Sequence, residues 1–167
     1  MTAAAALRTE TEERAFEVVV RRETPRLFGI AYTILRDRDE AADAVQDVVF
    51  AAWRSWAKTA AYDDPGPWLT RICVNRCISR SGVLRRRHRL ATAYEADAAA
   101  LVPAPADPAL ALAFGHLSRR QRAVVTLHYQ AGYTLNECAA LMGCRPGTVR
   151  SHLSRALASL RENLSDH

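Results

Sequence analysis

The chain has 167 residues, 23 basic and 18 acidic, for a net charge of +5, with 49% apolar and 25% charged positions. That length suits one ordinary domain or two small ones, and the balance is that of a globular chain rather than a disordered one. No apolar run reaches the roughly 18 residues of a membrane span, and Met1–Glu13 is Ala-rich then acidic, unlike a signal peptide. A cytoplasmic protein without membrane insertion is expected.

In chain order, Phe16, Val19 and Val20 predict one apolar helix face ahead of Pro25. Leu27, Phe28, Ala31, Ile34 and Leu35 predict a second helix, with Pro25 in its first turn. Asp39 is placed to cap a third helix, whose apolar positions include Ala41, Val45, Val48, Val49, Ala52, Trp53 and Trp56. A loop follows from about Ala57 to Gly66. Pro67 then opens a fourth helix carrying Trp68, Leu69, Ile72 and Cys73, ahead of the basic run Arg85-Arg86-Arg87-His88-Arg89. The three tryptophans read as core.

Residues 91–113 contain no basic residue, three acids, eleven alanines, and the prolines Pro103, Pro105 and Pro108. Proline opposes a continuous helix there, so the segment reads as a flexible Ala/Pro-rich acidic linker. It separates two modules, 1–90 and 114–167, each with a net charge of +4.

The second module has legible helix ends. Ser118 with Gln121, and Thr134 with Glu137, each fit a capping box. Gly132 interrupts between them. Gly143 stands where a helix end needs a left-handed residue, and Pro146 starts a last helix with the core stripe Val149, Leu153, Ala156, Leu157 and Leu160. Two helices joined by a short glycine-containing turn describe a helix-turn-helix. At about 100° per residue, Gly147, Ser151, Ser154, Arg155 and Ala158 point away from that stripe, with Thr148 and Arg150 on its flanks. Small residues and arginines on a free face suit a major groove; a plain helical hairpin with a solvated basic face is the blander alternative. The expected fold class is all-α: two small helical domains and a linker.

Arginine supplies 22 of the 23 basic positions, which favours phosphate or carboxylate partners. Cys73, Cys77, Cys138 and Cys144 form no Cys-x-x-Cys pair, so no metal and no cofactor is assigned.

The stretch Leu117–Arg122, then Gly143–Ser151 and Leu153–Ala156, resembles region 4 of bacterial sigma factors. The small extracytoplasmic-function group is the nearest pattern. Asp43-Ala44-Val45-Gln46-Asp47-Val48 with Ala52-Trp53 resembles region 2.2, and Trp68-Leu69, Arg71-Ile72 and Asn75-Arg76 resemble regions 2.3 to 2.4. The resemblance implies a non-enzymatic initiation factor that binds RNA polymerase core, through the β′ clamp coiled-coil and the β flap, and promoter DNA. It implies that Asp43, Gln46 and Asp47, which share a helix face at i, i+3 and i+4, grip the polymerase. For −10 recognition and melting it implicates Lys58, Tyr62, Arg71, Asn75, Arg76 and Arg80. For the −35 element it implicates Arg145, Thr148, Arg150, Ser151, Ser154 and Arg155, with Arg155 reading guanine. The run Arg85–Arg89 has two readings, a phosphate track or a solvated helix end. An anti-sigma partner is also implied. A stand-alone helix-turn-helix regulator explains the second module but not the first; a thiol or metal enzyme lacks a spaced site; an adaptor would leave no DNA footprint.

Overall fold

The computed structural model describes residues 3–79 and 107–165, and among these every regular element is helical. The first is α1, Ala3–Leu35, which passes through Pro25 without ending. The sequence predicts two helices here; the structure joins them. Interior proline costs a helix ~3 kcal/mol through a lost hydrogen bond and a ring clash. Burial on the same helix outweighs that. Leu27, Phe28, Ile30, Ala31 and Ile34 are all 5% exposed or less, and each large apolar side chain contributes about 1.5–3 kcal/mol when buried. Arg36 ends the helix in a left-handed conformation, φ +57°.

α2 spans Arg38–Thr59 and is capped by Asp37, whose Oδ1 accepts from the Glu40 amide at 2.9 Å. Asp39, expected as the cap, falls instead in the first turn, where its charge suits the helix dipole. The expected loop shortens at both ends, because α2 runs to Thr59 and α3 covers Gly66–Ser79. Asp64 Oδ1 accepts from the Gly66 amide at 2.9 Å and so starts α3. These three helices meet over Leu27, Ile34, Val48, Cys73 and Val74. Trp56 is buried at their end, with the Phe16 ring edge-on to it at 5.1 Å. Trp53 is 47% exposed, so it is not core as the sequence suggested.

Arg80, the run Arg85–Arg89 and residues 91–106 lie outside the described residues. α4, Pro108–His116, occupies positions that the sequence argument assigns to the linker. Pro108 causes no break because it sits in the first turn, where its missing N–H has no intrahelical partner to lose. Asp107 caps the helix, accepting from Ala109 and Leu110 at 2.8 and 3.4 Å.

α5, Arg119–Val125, begins at the expected capping box: Ser118 Oγ accepts from the Gln121 amide, and Gln121 Oε1 from the Ser118 amide. It widens into a π-helical turn over Thr126–Gln130, which Gly132 closes at φ +76°. α6, Leu135–Met142, opens on the second box, Thr134 with Glu137. The Thr134 backbone amide and hydroxyl both donate to the Glu137 carboxylate, which holds its pKa below the ordinary value. α7, Pro146–Ser165, buries Val149, Ala156 and Leu160, with Leu153 and Leu157 half-buried.

The modules do not stand apart. α3 packs along α6, and α1 packs against α5 and the π turn. One apolar core therefore runs from Leu27 and Cys73 to Val124, Leu127 and Met142.

Gly143 caps α6 at φ +63°, and an added Cβ would meet Asn75 Oδ1 at 3.7 Å, an ordinary contact. Gly143→Ala should therefore cost about 1 kcal/mol through backbone conformation alone. Urea unfolding of the variant checks this; an unchanged midpoint would count against the left-handed cap.

Candidate nucleic-acid interface

α7 presents the free face expected from its angular pattern. Arg145, Thr148, Arg150, Ser151, Ser154 and Arg155 are all exposed, while Val149 and Ala156 between them are fully buried. The packing against α4, α5 and α6 fixes which face this is. Gly143 and Pro146 together set the sharp turn that projects α7 outward.

α3 offers a different surface. A groove of about 410 Å³ is lined by Trp68, Arg71, Ile72, Asn75, Arg76 and Ser79. The sequence selected Arg71, Asn75 and Arg76 of these and assigned Trp68 to the core. Trp68 is half-buried, packed against the core as expected, and also lines the groove. Two guanidinium groups beside an aromatic face and an amide suit a phosphate backbone with a stacked base. Lys58 and Tyr62 are exposed at the end of α2 and in the turn beyond it, and neither is among the lining residues. Asn75 is already engaged: its Nδ2 donates to the Arg71 carbonyl at 2.8 Å and to the Leu141 carbonyl, in α6, at 3.0 Å.

On α2, Gln46 is exposed and Asp43 and Asp47 are half-buried, on one side of the helix. Phe50, which the sequence analysis passed over, is 64% exposed, with the Arg54 guanidinium 5.8 Å above its ring. Its signal was present, because position 50 is seven residues after Asp43 and shares that face. Phe50 thus extends the Asp43/Gln46/Asp47 face with an exposed aromatic.

Thiol chemistry has little support in the surroundings of the cysteines. A hydrogen bond with Cys77 and burial hold the Cys73 thiol well above its ordinary pKa, and burial beside Glu137 pushes Cys138 up to about 11. Among the described residues, no three His, Cys, Asp or Glu side chains are grouped to hold a metal, and no helix is long and apolar enough to cross a membrane.

Residues 19–90 match the sigma-70 region 2 family, and residues 108–160 match sigma-70 region 4. The chain is 34% identical over 151 residues to the ECF RNA polymerase sigma factor SigM of Mycobacterium tuberculosis, covering 87% of this chain and 75% of that one. The chain belongs to the ECF sigma factors. The RNA polymerase sigma factor CarQ of Myxococcus xanthus is 30% identical, covering 91% of this chain and 90% of its own. Among solved structures, the sigma factor RpoE of Bartonella quintana, bound to the anti-sigma factor NepR, superposes with a TM-score of 0.64 at 26% identity, covering 92% of this chain and 96% of that one. CnrH, in complex with the cytosolic domain of CnrY, gives a TM-score of 0.61 at 26% identity, covering 92% and 90%. A sigma factor directs RNA polymerase to promoters and is not an enzyme. The match to region 2 sets aside the stand-alone regulator.

His152 lies on α7 and is half-buried. Burial, and then the charges of Arg120 and Arg155, hold its pKa below the ordinary 6.5. The folded state therefore binds that proton less tightly than the unfolded chain does. Its stabilising contribution is present above pH 6.5 and is lost as pH falls through the lowered value. His152→Gln should flatten the acid limb of stability below about pH 6.5, read as urea midpoints compared with the parent. Parallel profiles would remove His152 from that account.

Proposed function

We propose that this sigma factor divides promoter recognition between its two modules, α3 handling the −10 element and α7 the −35 element. The observation that carries this is the exposed polar face of α7, opposite the apolar stripe that packs into the core, in the region that matches sigma-70 region 4. Arg155 and Arg150 reach base edges, Ser151 and Ser154 permit close approach, and Arg145 and Thr148 anchor phosphate near the helix start. Arg71, Asn75 and Arg76, with Trp68, hold the melted −10 strand, and Lys58, Tyr62 and Arg80 support it from outside the groove.

Asp43, Gln46 and Asp47 dock on the basic β′ clamp coiled-coil of the polymerase core, while the second module meets the β flap. Acidic-to-basic complementarity steers that encounter. The protein works in the cytoplasm, without cofactor or metal. An anti-sigma partner fits the reading, because both solved relatives above are complexes and one is with a protein named as an anti-sigma factor.

Run-off transcription with bacterial core polymerase on promoter fragments tests the whole. Specific start sites should appear only when the protein is added. Arg155→Ala should weaken binding about 10- to 100-fold at one or two −35 base pairs and leave other sequences nearly unaffected. Uniform loss across all sequences would instead make Arg155 a phosphate contact. Asp47→Arg should reduce core-polymerase affinity, with the fold of the variant checked by circular dichroism, and equal affinity would remove α2 from the docking surface.

A further inference from the structure

One flank of α7 carries a cluster that base reading alone leaves unused. Thr148, His152 and Arg155 follow one another at four- and three-residue spacing, so they stand in line along the helix. Thr148 and Arg155 are exposed, and His152 between them is half-buried. At about 100° per residue, this flank lies between the buried Val149 and Ala156 and the free face of Ser151 and Ser154.

α5 packs against α7 and brings Arg120, exposed in its first turn, towards the same flank. The imidazole registers that approach. After burial, the charges of Arg120 and then Arg155 are what oppose its protonation. Among the described residues, α4 and α6, which also pack against α7, set no charge against it. Neither Arg120 nor Arg155 takes part in an ion pair among the described residues. Positive charge gathered from two helices and left unpaired repels itself and attracts an anion. A DNA backbone supplies one wherever a recognition helix enters a groove.

We propose that Arg120 and His152, with Thr148 beside them, form a phosphate seat flanking the −35 face, and that −35 DNA binds with uptake of one proton at His152. The inference rests on the reading of α7 as the −35 helix. The proton comes from solvent and stays on the imidazole, whose N–H donates to a phosphodiester oxygen. An anion seated there cancels the repulsion from the two guanidinium groups. The bound protein therefore holds the proton more tightly than the free protein does, and affinity rises as pH falls. As pH rises the bound state loses the proton, and the gain disappears.

The test uses holoenzyme assembled with bacterial core polymerase and a promoter duplex identified by run-off transcription. Affinity is measured at fixed ionic strength from about pH 8 to about pH 6, the range in which an imidazole titrates. Over that range the parent should gain about five-fold more affinity than His152→Gln, which has no proton to take up. His152→Arg, charged throughout, should bind at about pH 8 as the parent binds at about pH 6. Comparing variants in this way cancels the titration of the polymerase itself. Arg120→Ala should weaken all promoter sequences about equally and lower the salt slope by about one. Lost packing alone would move neither the pH profile nor the salt slope, and circular dichroism checks that each variant folds.

Parallel pH profiles for the parent and His152→Gln would overturn the proton uptake. Unchanged affinity and salt slope in Arg120→Ala would overturn the seat. Either result, with Arg155→Ala still losing selectivity at single base pairs, leaves α7 as the −35 helix. No effect at any of the three positions would overturn that reading as well.

Discussion

One guanidinium group ties α1 to the start of α3 at the edge of their shared core. Arg26 bonds Glu23 within α1, then reaches the Gly66 carbonyl and the Thr70 hydroxyl at the start of α3. The same group reaches Tyr133, beyond the π turn. Desolvation opposes its charge, but the bonds to Tyr133 and Glu23 prevail and its pKa is raised. Everything proposed for α3 depends on this arrangement. The groove from Trp68 to Ser79 is usable only if the helix start is pinned, because rotation about its axis would turn Arg71 and Arg76 into the core. A planar fork of donors can satisfy a carboxylate, a carbonyl and two hydroxyls at once, whereas a lysine would lose most of that geometry.

How much of this was legible in the sequence depended on whether the signal was local. Both capping boxes, Gly143 and Pro146 were readable because each acts within four residues of backbone. The free face of α7 was readable for a related reason, since a helical period converts directly into an angle. Pro25 was misread because its local penalty is real but is outweighed by long-range burial of α1, which no window of sequence contains. Pro108 was misread in the opposite sense, as a breaker, when its place after Asp107 made it a starter. Trp53 and Trp56 have the same composition signal and nearly the same spacing. Phe16 stands edge-on to both, at 5.0 and 5.1 Å, yet Trp56 is buried and Trp53 is 47% exposed, a difference of position on α2 that the spacing alone does not report. The union of two modules into one core had no sequence signal that composition or period could report.

The partition of surfaces follows from that union. α7 keeps its polar face outward because α4, α5 and α6 surround its other side, whereas α3 shares its flank with α6. The two DNA-directed helices are therefore unequal in the folded chain: one is presented and the other is shared. Electrostatics sharpens the difference. Arginines on α7 face solvent, where screening and hydration leave them free to exchange ions for phosphates. Those where the two modules meet lie among carbonyls and one another.

The π turn at Thr126–Gln130 carries a consequence of another kind. A π turn accommodates one more residue than an α turn, and it stands between α5, which joins the core, and the α6–α7 pair, which aims at DNA. Loss of a single residue there would restore α geometry and swing everything downstream by about 100°. The direction in which the recognition helix points is thus encoded in chain length at one position as well as in the Gly143–Pro146 turn. A lineage could re-aim this protein by a three-nucleotide deletion more abruptly than by any substitution on the helix itself.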